Sequence, residues 1–259
     1  ILTQPLRWKR PRRIFVASMT DLFEGRVPDE WIARIFAVML MAPRHEFQVL
    51  TKRAERMASL LTKPGFAPHV ESQAYALSRK NAPDLLTYES IQKVGIRWPL
   101  PNVWLGTSVE TQEWVDQRIP WLLKAPATVR FLSVEPLLGP VDLTSWLPFG
   151  AGPRPSAPPG TEYAHNPLGL HWVITGGESG GPPERALVYR RSPPVTEIRR
   201  RPVGYGPWLL KPEALEWLRV IRDQCQSAGV AFFHKQNGGP TPKSGGRLLD
   251  GRTWDEFPK

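Results

Sequence analysis

Short apolar runs alternate with amphipathic stretches along the chain. RRIFVAS (Arg12 to Ser18) has the β-branched and aromatic content of a buried strand, and the polar loop MTDLFEG follows it. Pro28 and Asp29 then supply a helix start. Ile32, Ile35, Phe36, Met39 and Leu40 recur at helical spacing with Arg34 on another face, which predicts a helix ending near Pro43. EFQVLTKR (Glu46 to Arg53) reads as a second strand with a basic end, followed by a short helix, AERMASLLTK. The same alternation gives strands at VWLGTSVE (Val103 to Glu110), VRFLSVEP (Val129 to Pro136), WVITGGES (Trp172 to Ser179) and VAFFHKQ (Val230 to Gln236). Helices are expected at Gln112 to Lys124 and Pro212 to Ala228, the latter with Pro in its first turn and Gly229 as its stop.

Six strands, most with a helix before the next, predict parallel strands joined by crossover helices, hence an α/β sheet or a TIM-like (β/α) barrel. Residues 1–259 read as a single barrel-like domain. Pro64 to Pro101, Pro148 to Leu170 and Pro182 to Pro207 break the rhythm and read as loop insertions.

In parallel α/β folds ligands lie beyond the carboxyl ends of the strands, where loops from several strands converge. Those ends are rich in candidate chemistry. They supply Asp21, Thr51, Lys52, Ser108, Glu110, Ser133, Gly176 and Gly177 as candidate cofactor-binding residues. Glu135, Glu178 and Lys235 are the candidate catalytic groups. LGTSVE and FLSVEP each deliver a hydroxyl and, two residues later, a carboxylate, which the strand period of two places on one side. Glu110, Glu135 and Glu178 grouped at one mouth would repel one another unless Lys52, Arg53, Lys235 or a ligand amine sat between them. Taken singly, each Glu is as readily a helix cap or the partner of a nearby cation.

Other motif classes are absent. WVITGGESGG has neither the G-x-G-x-x-G nor the GK[ST] spacing of a nucleotide loop, and it is not a nucleophile elbow. His45, His69, His165, His171 and His234 never fall at metal-ligand spacing.

Composition narrows the picture. No apolar run approaches the roughly 18 residues of a membrane span. A single cysteine, Cys225, rules out an internal disulfide and a C-x-x-C site, and it fits a reducing, cytoplasmic compartment. The formal charge is +10, from 34 Lys and Arg against 24 Asp and Glu. Much of the excess lies in Arg7 to Arg13 and Arg190 to Arg201, so a nucleic acid or another phosphate-bearing partner is expected. Arg7, Arg10, Arg12, Arg199, Arg200 and Arg201 are the candidate phosphate contacts, and Trp8 is the tryptophan among them that could stack on a base.

Seven blocks in order carry a resemblance: RRIFVASMTDLFEGRVPDEWIARIFAVMLMAP, FQVLTKRAERM, WPLPNVWLGTSVE, IPWLLKAPATVRFLSVEPLLGPVDL, WVITGGESG, LRVIRDQCQSAGVAFFHKQNG and GRLLDGRTWDEFP. They resemble a bacterial and phage-associated family of unknown function, domain of unknown function 5131, whose members look like divergent radical S-adenosylmethionine barrels. The resemblance implies three clustered cysteines ahead of QPLRWKRPRRIF holding a 4Fe-4S cluster that binds S-adenosylmethionine. This chain lacks that segment, so none of these cofactors is ligated by it as given. The expected fold is therefore an incomplete barrel without its first strand and cluster loop, and the suspected cofactors belong to a longer form.

Three functions are expected in order of weight. The first is the core of a radical S-adenosylmethionine-like enzyme acting on nucleic acid or a phosphate-bearing substrate. The second is a non-catalytic nucleic-acid-binding protein, and the third a cluster-independent hydrolase or lyase using the carboxylates with Lys235. Composition sets neither substrate nor oligomeric state.

Overall fold

A computed structural model describes residues 2–81, 96–148, 169–190, 208–241 and 243–258. The chain runs through α1 (Gln4–Arg7), β1 (Arg13–Val16), α2 (Asp29–Met41), β2 (Glu46–Thr51), α3 (Ala54–Leu61) and α4 (Phe66–Asn81). It continues with β3 (Val103–Ser108), α5 (Gln112–Lys124), β4 (Val129–Val134), β5 (Trp172–Gly176), β6 (Val188–Arg190), β7 (Trp208–Leu210), α6 (Pro212–Ala228) and β8 (Ala231–Gln236). The fold is mixed α/β. The six strands anticipated from the apolar runs form one sheet in the order β1-β2-β3-β4-β5-β8, and the β1–β2, β2–β3 and β5–β8 pairs are parallel. β6 and β7 make a separate antiparallel pair.

The chain divides into two compact units, Ile1–Ser108 with Gln117–Phe131, and Val109–Asp116 with Leu132–Lys259. In the first, α2 begins after Pro28 with Asp29 and Glu30 in its first turn, where carboxylates complement the helix dipole. Its buried face includes Ile32, Ala33, Phe36, Ala37 and Met39. The Asn102 amide donates to the carbonyls of Met39 (3.0 Å) and His45 (3.1 Å), so one side chain serves the helix end and the chain entering β2.

α4 departs from expectation. The segment 64–101 reads as a loop, yet Phe66–Asn81 is a 16-residue helix. Its buried positions are Phe66, Val70, Ala74 and Leu77, a sparse stripe among polar residues, and Phe66 packs edge-on against Phe36 at 5.7 Å. Pro68 lies in the first turn, where a missing N–H costs nothing. The prolines at 64 and 68 therefore look like breakers in the sequence while permitting a helix start.

In the second unit, α6 follows its sequence signals. Pro212 occupies its first turn, Ala214, Leu218, Ile221 and Cys225 are buried, and Gly229 takes the left-handed conformation (φ 67°). Gly229 and Val230 donate to the carbonyls of Gln226 and Cys225, closing the helix end. This delivers the chain directly into β8. Of the anticipated insertions, 149–168 and 191–207 lie outside the described residues, Arg199, Arg200 and Arg201 among them.

Candidate functional site

In the first unit, Asp21 is saturated by its own surroundings. Its Oδ1 accepts the Thr51 hydroxyl (2.6 Å) and the Phe23 N–H (2.9 Å), and its Oδ2 accepts the Lys52 N–H (2.9 Å). The Thr51 hydroxyl also accepts the Arg53 N–H at 2.8 Å, and the Thr51 carbonyl accepts the Thr107 hydroxyl at 2.8 Å. Arg56 reinforces the same loop by donating to the carbonyls of Phe23, Glu24 and Val27 and to Asp29. Asp21, Thr51 and the Lys52 backbone thus tie the loop after β1 to the end of β2. Ser108 is buried at the end of β3, where its carbonyl accepts from Arg118.

Trp8 is likewise committed to packing. Its ring meets His45 edge-on at 5.9 Å, and the Arg12 guanidinium lies over it at 4.6 Å. A face covered in this way is closed to a stacking base. The His45 ring accepts the Arg12 N–H on Nδ1 and faces the Pro5 carbonyl with Nε2, while Arg44 donates to the Trp8 and Leu6 carbonyls. Arg7, Lys9 and Arg10 remain exposed and make no ion pair among the described residues.

The second unit holds a different kind of carboxylate. β4 stops at Val134, so Glu135 lies just past the strand, where the period-two argument no longer applies. Its Oε2 accepts from Lys235 Nζ (3.1 Å) and its Oε1 from Gln236 Nε2 (3.2 Å). Its side chain is 18% exposed and that of Lys235 is 56% exposed. A pair with one partner so wet is worth about 0–1 kcal/mol and opens readily.

Gly176 makes this arrangement possible: a Cβ there would sit 2.9 Å from the Glu135 carboxyl carbon. The chain after Glu135 is fixed in turn, with Leu137 N–H donating to the Gly176 carbonyl (3.0 Å) and Leu138 N–H to the Glu110 carbonyl (3.0 Å). Glu110 itself is buried, as is Ser133.

Gly177 has another purpose. A Cβ at Gly177 would run into the Asn237 carbonyl, and one at Gly238 (φ +76°) would run into the Glu178 carbonyl. Gly177 N–H donates to Gln236 O, Gly239 N–H to Glu178 O and Gly180 N–H to Gly239 O, each at 2.9 Å. The glycines let two backbones zip together beyond β5 and β8. Gly177 is therefore spent on chain contact, and the close approach expected there is to backbone.

Glu178 is held within this zipped loop. Its carboxyl lies against Gly181, and Arg185 Nε approaches Oε2 at 2.9 Å as an ion pair. Of the three candidate catalytic groups, Glu135 and Lys235 are joined directly and Glu178 takes its own cation.

Sequence reasoning assigned no role to three participants, although it placed Gln236 with Lys235 at the end of its strand. Gln236 completes the Glu135 clamp, Arg185 neutralises Glu178, and His234, set aside as a poor metal ligand, lies fully buried between Thr175 and Asn237. The signal for Gln236 was present, since KQ closes an apolar strand at its carboxyl end. Nothing local marks Arg185 or the His234 partners.

The model for Protein of unknown function (DUF5131) matches residues 1–190 and 208–258. The chain belongs to this family. No curated protein and no solved structure matches it. Within this DUF5131 chain the implied iron–sulfur cluster finds no ligand set. Cys225 is its one cysteine, buried in α6, with its thiol pushed up by burial and by the neighbouring Glu256 charge. Among the described residues no three His, Cys, Asp or Glu side chains are grouped to hold a metal ion, and no helix is long and apolar enough to cross a membrane.

Proposed function

We propose that the second unit binds an amine-bearing small molecule at the carboxyl ends of β4, β5 and β8, with Glu135 as the group that meets the ligand ammonium. The observation that carries this reading is the state of Glu135. It is a partly sheltered carboxylate whose cationic partner is an exposed lysine, over a glycine with no side chain to obstruct approach. An incoming ammonium can take the place of Lys235, which then turns outward or toward an anionic part of the same ligand. Gln236 keeps Glu135 aimed during the exchange.

On this reading the chain is the core of a radical S-adenosylmethionine-like (β/α) barrel, and a phosphate-bearing or nucleic-acid substrate suits its formal charge of +10. The order of strands and helices and the strand-end placement of Glu135 support it. The cluster chemistry requires thiolates that Cys225 alone does not supply. S-adenosylmethionine, which carries an α-amino group, is the test ligand. Calorimetric titration should give saturable binding that weakens at least about tenfold in Glu135→Gln, the loss of one charge-assisted hydrogen bond. Absence of binding to the wild type would refute the assignment.

A second reading, nucleic-acid binding through the N-terminal basic run, rests on the exposed Arg7, Lys9 and Arg10. Its mark is affinity that falls steeply with salt and is lost when those three cations are neutralised, with Trp8 contributing little.

A further inference from the structure

The β5–β8 register is regular through Thr175 opposite His234 and then slips, so that Gly176 pairs with Gln236 and Lys235 is the extra residue. The slip explains an otherwise improbable contact. Consecutive residues of a regular strand point to opposite faces, yet Lys235 and Gln236 grip the two oxygens of one carboxylate. A bulge re-aims a side chain in just this way.

His234 is the last residue before the slip. Thr175 Oγ1 lies 2.9 Å from its Nδ1, and Asn237 Oδ1 lies 2.7 Å from its Nε2. The Asn237 amide nitrogen donates to the Gly245 carbonyl at 2.8 Å, so its oxygen faces the ring. Nε2 therefore carries the hydrogen, and Nδ1 accepts from the Thr175 hydroxyl. The Asn237 backbone is pinned as well, its N–H donating to Gly246 O at 2.8 Å. The ring thus bridges the β5 residue before the slip and Asn237, the residue just past the end of β8, spanning Lys235 and Gln236.

We propose that His234 is a positioning residue for the Glu135 site: by linking Thr175 to Asn237 across the slip in β8, it holds Lys235 and Gln236 on a single carboxylate. The inference rests on the reading of Glu135 as the ligand-facing group only for its functional meaning. The geometry of the clamp can be tested with no ligand present.

The readout is exchange with water of the Gln236 side-chain amide protons by NMR, assigned by their disappearance in Gln236→Glu. Thr175→Val removes the hydroxyl that donates to the ring while keeping its shape. It should speed that exchange at least about tenfold in a protein of unchanged circular dichroism, and Thr175→Ser should restore the slow rate. Should Thr175→Val fail to fold, acidification of the wild type provides a second test, because protonation reverses the Thr175 bond, with Nδ1 then donating to the hydroxyl oxygen, and places a charge on the buried ring that bridges the slip. The charge that acts on the ring is that of Arg247, which donates to the His234 backbone carbonyl at 3.4 Å and is ion-paired with Asp255. The Gln236 amide signals should then move with the midpoint of the His234 ring signals. Unchanged amide exchange in folded Thr175→Val, or a Gln236 response with a different midpoint, would overturn the proposal. Loss of S-adenosylmethionine binding with the clamp intact would count against the proposed function alone.

Discussion

Asp21 and Glu135 are both carboxylates placed just beyond strands of a parallel sheet, and they come to opposite fates. Asp21 receives a hydroxyl and two backbone N–H groups from residues that cannot leave. Glu135 receives a flexible, largely exposed lysine and one carboxamide. Position at a strand end is thus a poor guide to function without an inventory of donors. A carboxylate satisfied by backbone is part of the scaffold, whereas one satisfied by a wet side chain can exchange its partner for a ligand.

Several variants can break this contrast. The largest effect belongs to the scaffold around the clamp: Gly177→Ala drives a methyl into the Asn237 carbonyl and should cost about 3 kcal/mol of stability in urea denaturation. Asp21→Ala strips three donors of their acceptor and should cost about 2 kcal/mol while leaving ligand binding to the second unit unchanged in a folded sample. Glu135→Gln should do the reverse, changing stability by less than about 1 kcal/mol and removing most ligand affinity. Equal stability losses in the last two variants would erase the distinction between them.

The smallest effect is a pH dependence. Burial lowers the proton affinity of His234 below its ordinary value of 6.5, the Asn237 bond raises it, and the Arg247 charge lowers it again. Below 6.5 the unfolded chain takes up a proton that the folded ring resists. The His234 contribution is therefore fully present above 6.5 and is lost as pH falls toward the lowered value. Denaturation across this range should show stability rising with pH, and His234→Gln should flatten that component. A slope unaffected by the substitution would assign it to other groups.

The legibility of the fold followed the locality of its signals. α6 could be read from Pro212, Gly229 and one apolar face because each of these acts within a turn of the helix. α4 could not, since its four buried residues are outnumbered by polar ones and stabilised by partners such as Phe36, thirty positions away by number. Placement of Glu135 and Lys235 near a strand end followed from the alternation of strand and helix. Their union did not, because a one-residue slip in β8 has no signature in an apolar run, and the Thr175 partner of His234 is 59 residues distant. Glycine was legible as close approach, but the approaching group at Gly177 is backbone.

The most direct test of the account is the paired titration of S-adenosylmethionine into Asp21→Asn and Glu135→Gln, with both variants shown to be folded. The account predicts wild-type affinity in Asp21→Asn and at least about a tenfold loss in Glu135→Gln. Equal affinities in the two variants, or no binding by either or by the wild type, would contradict it.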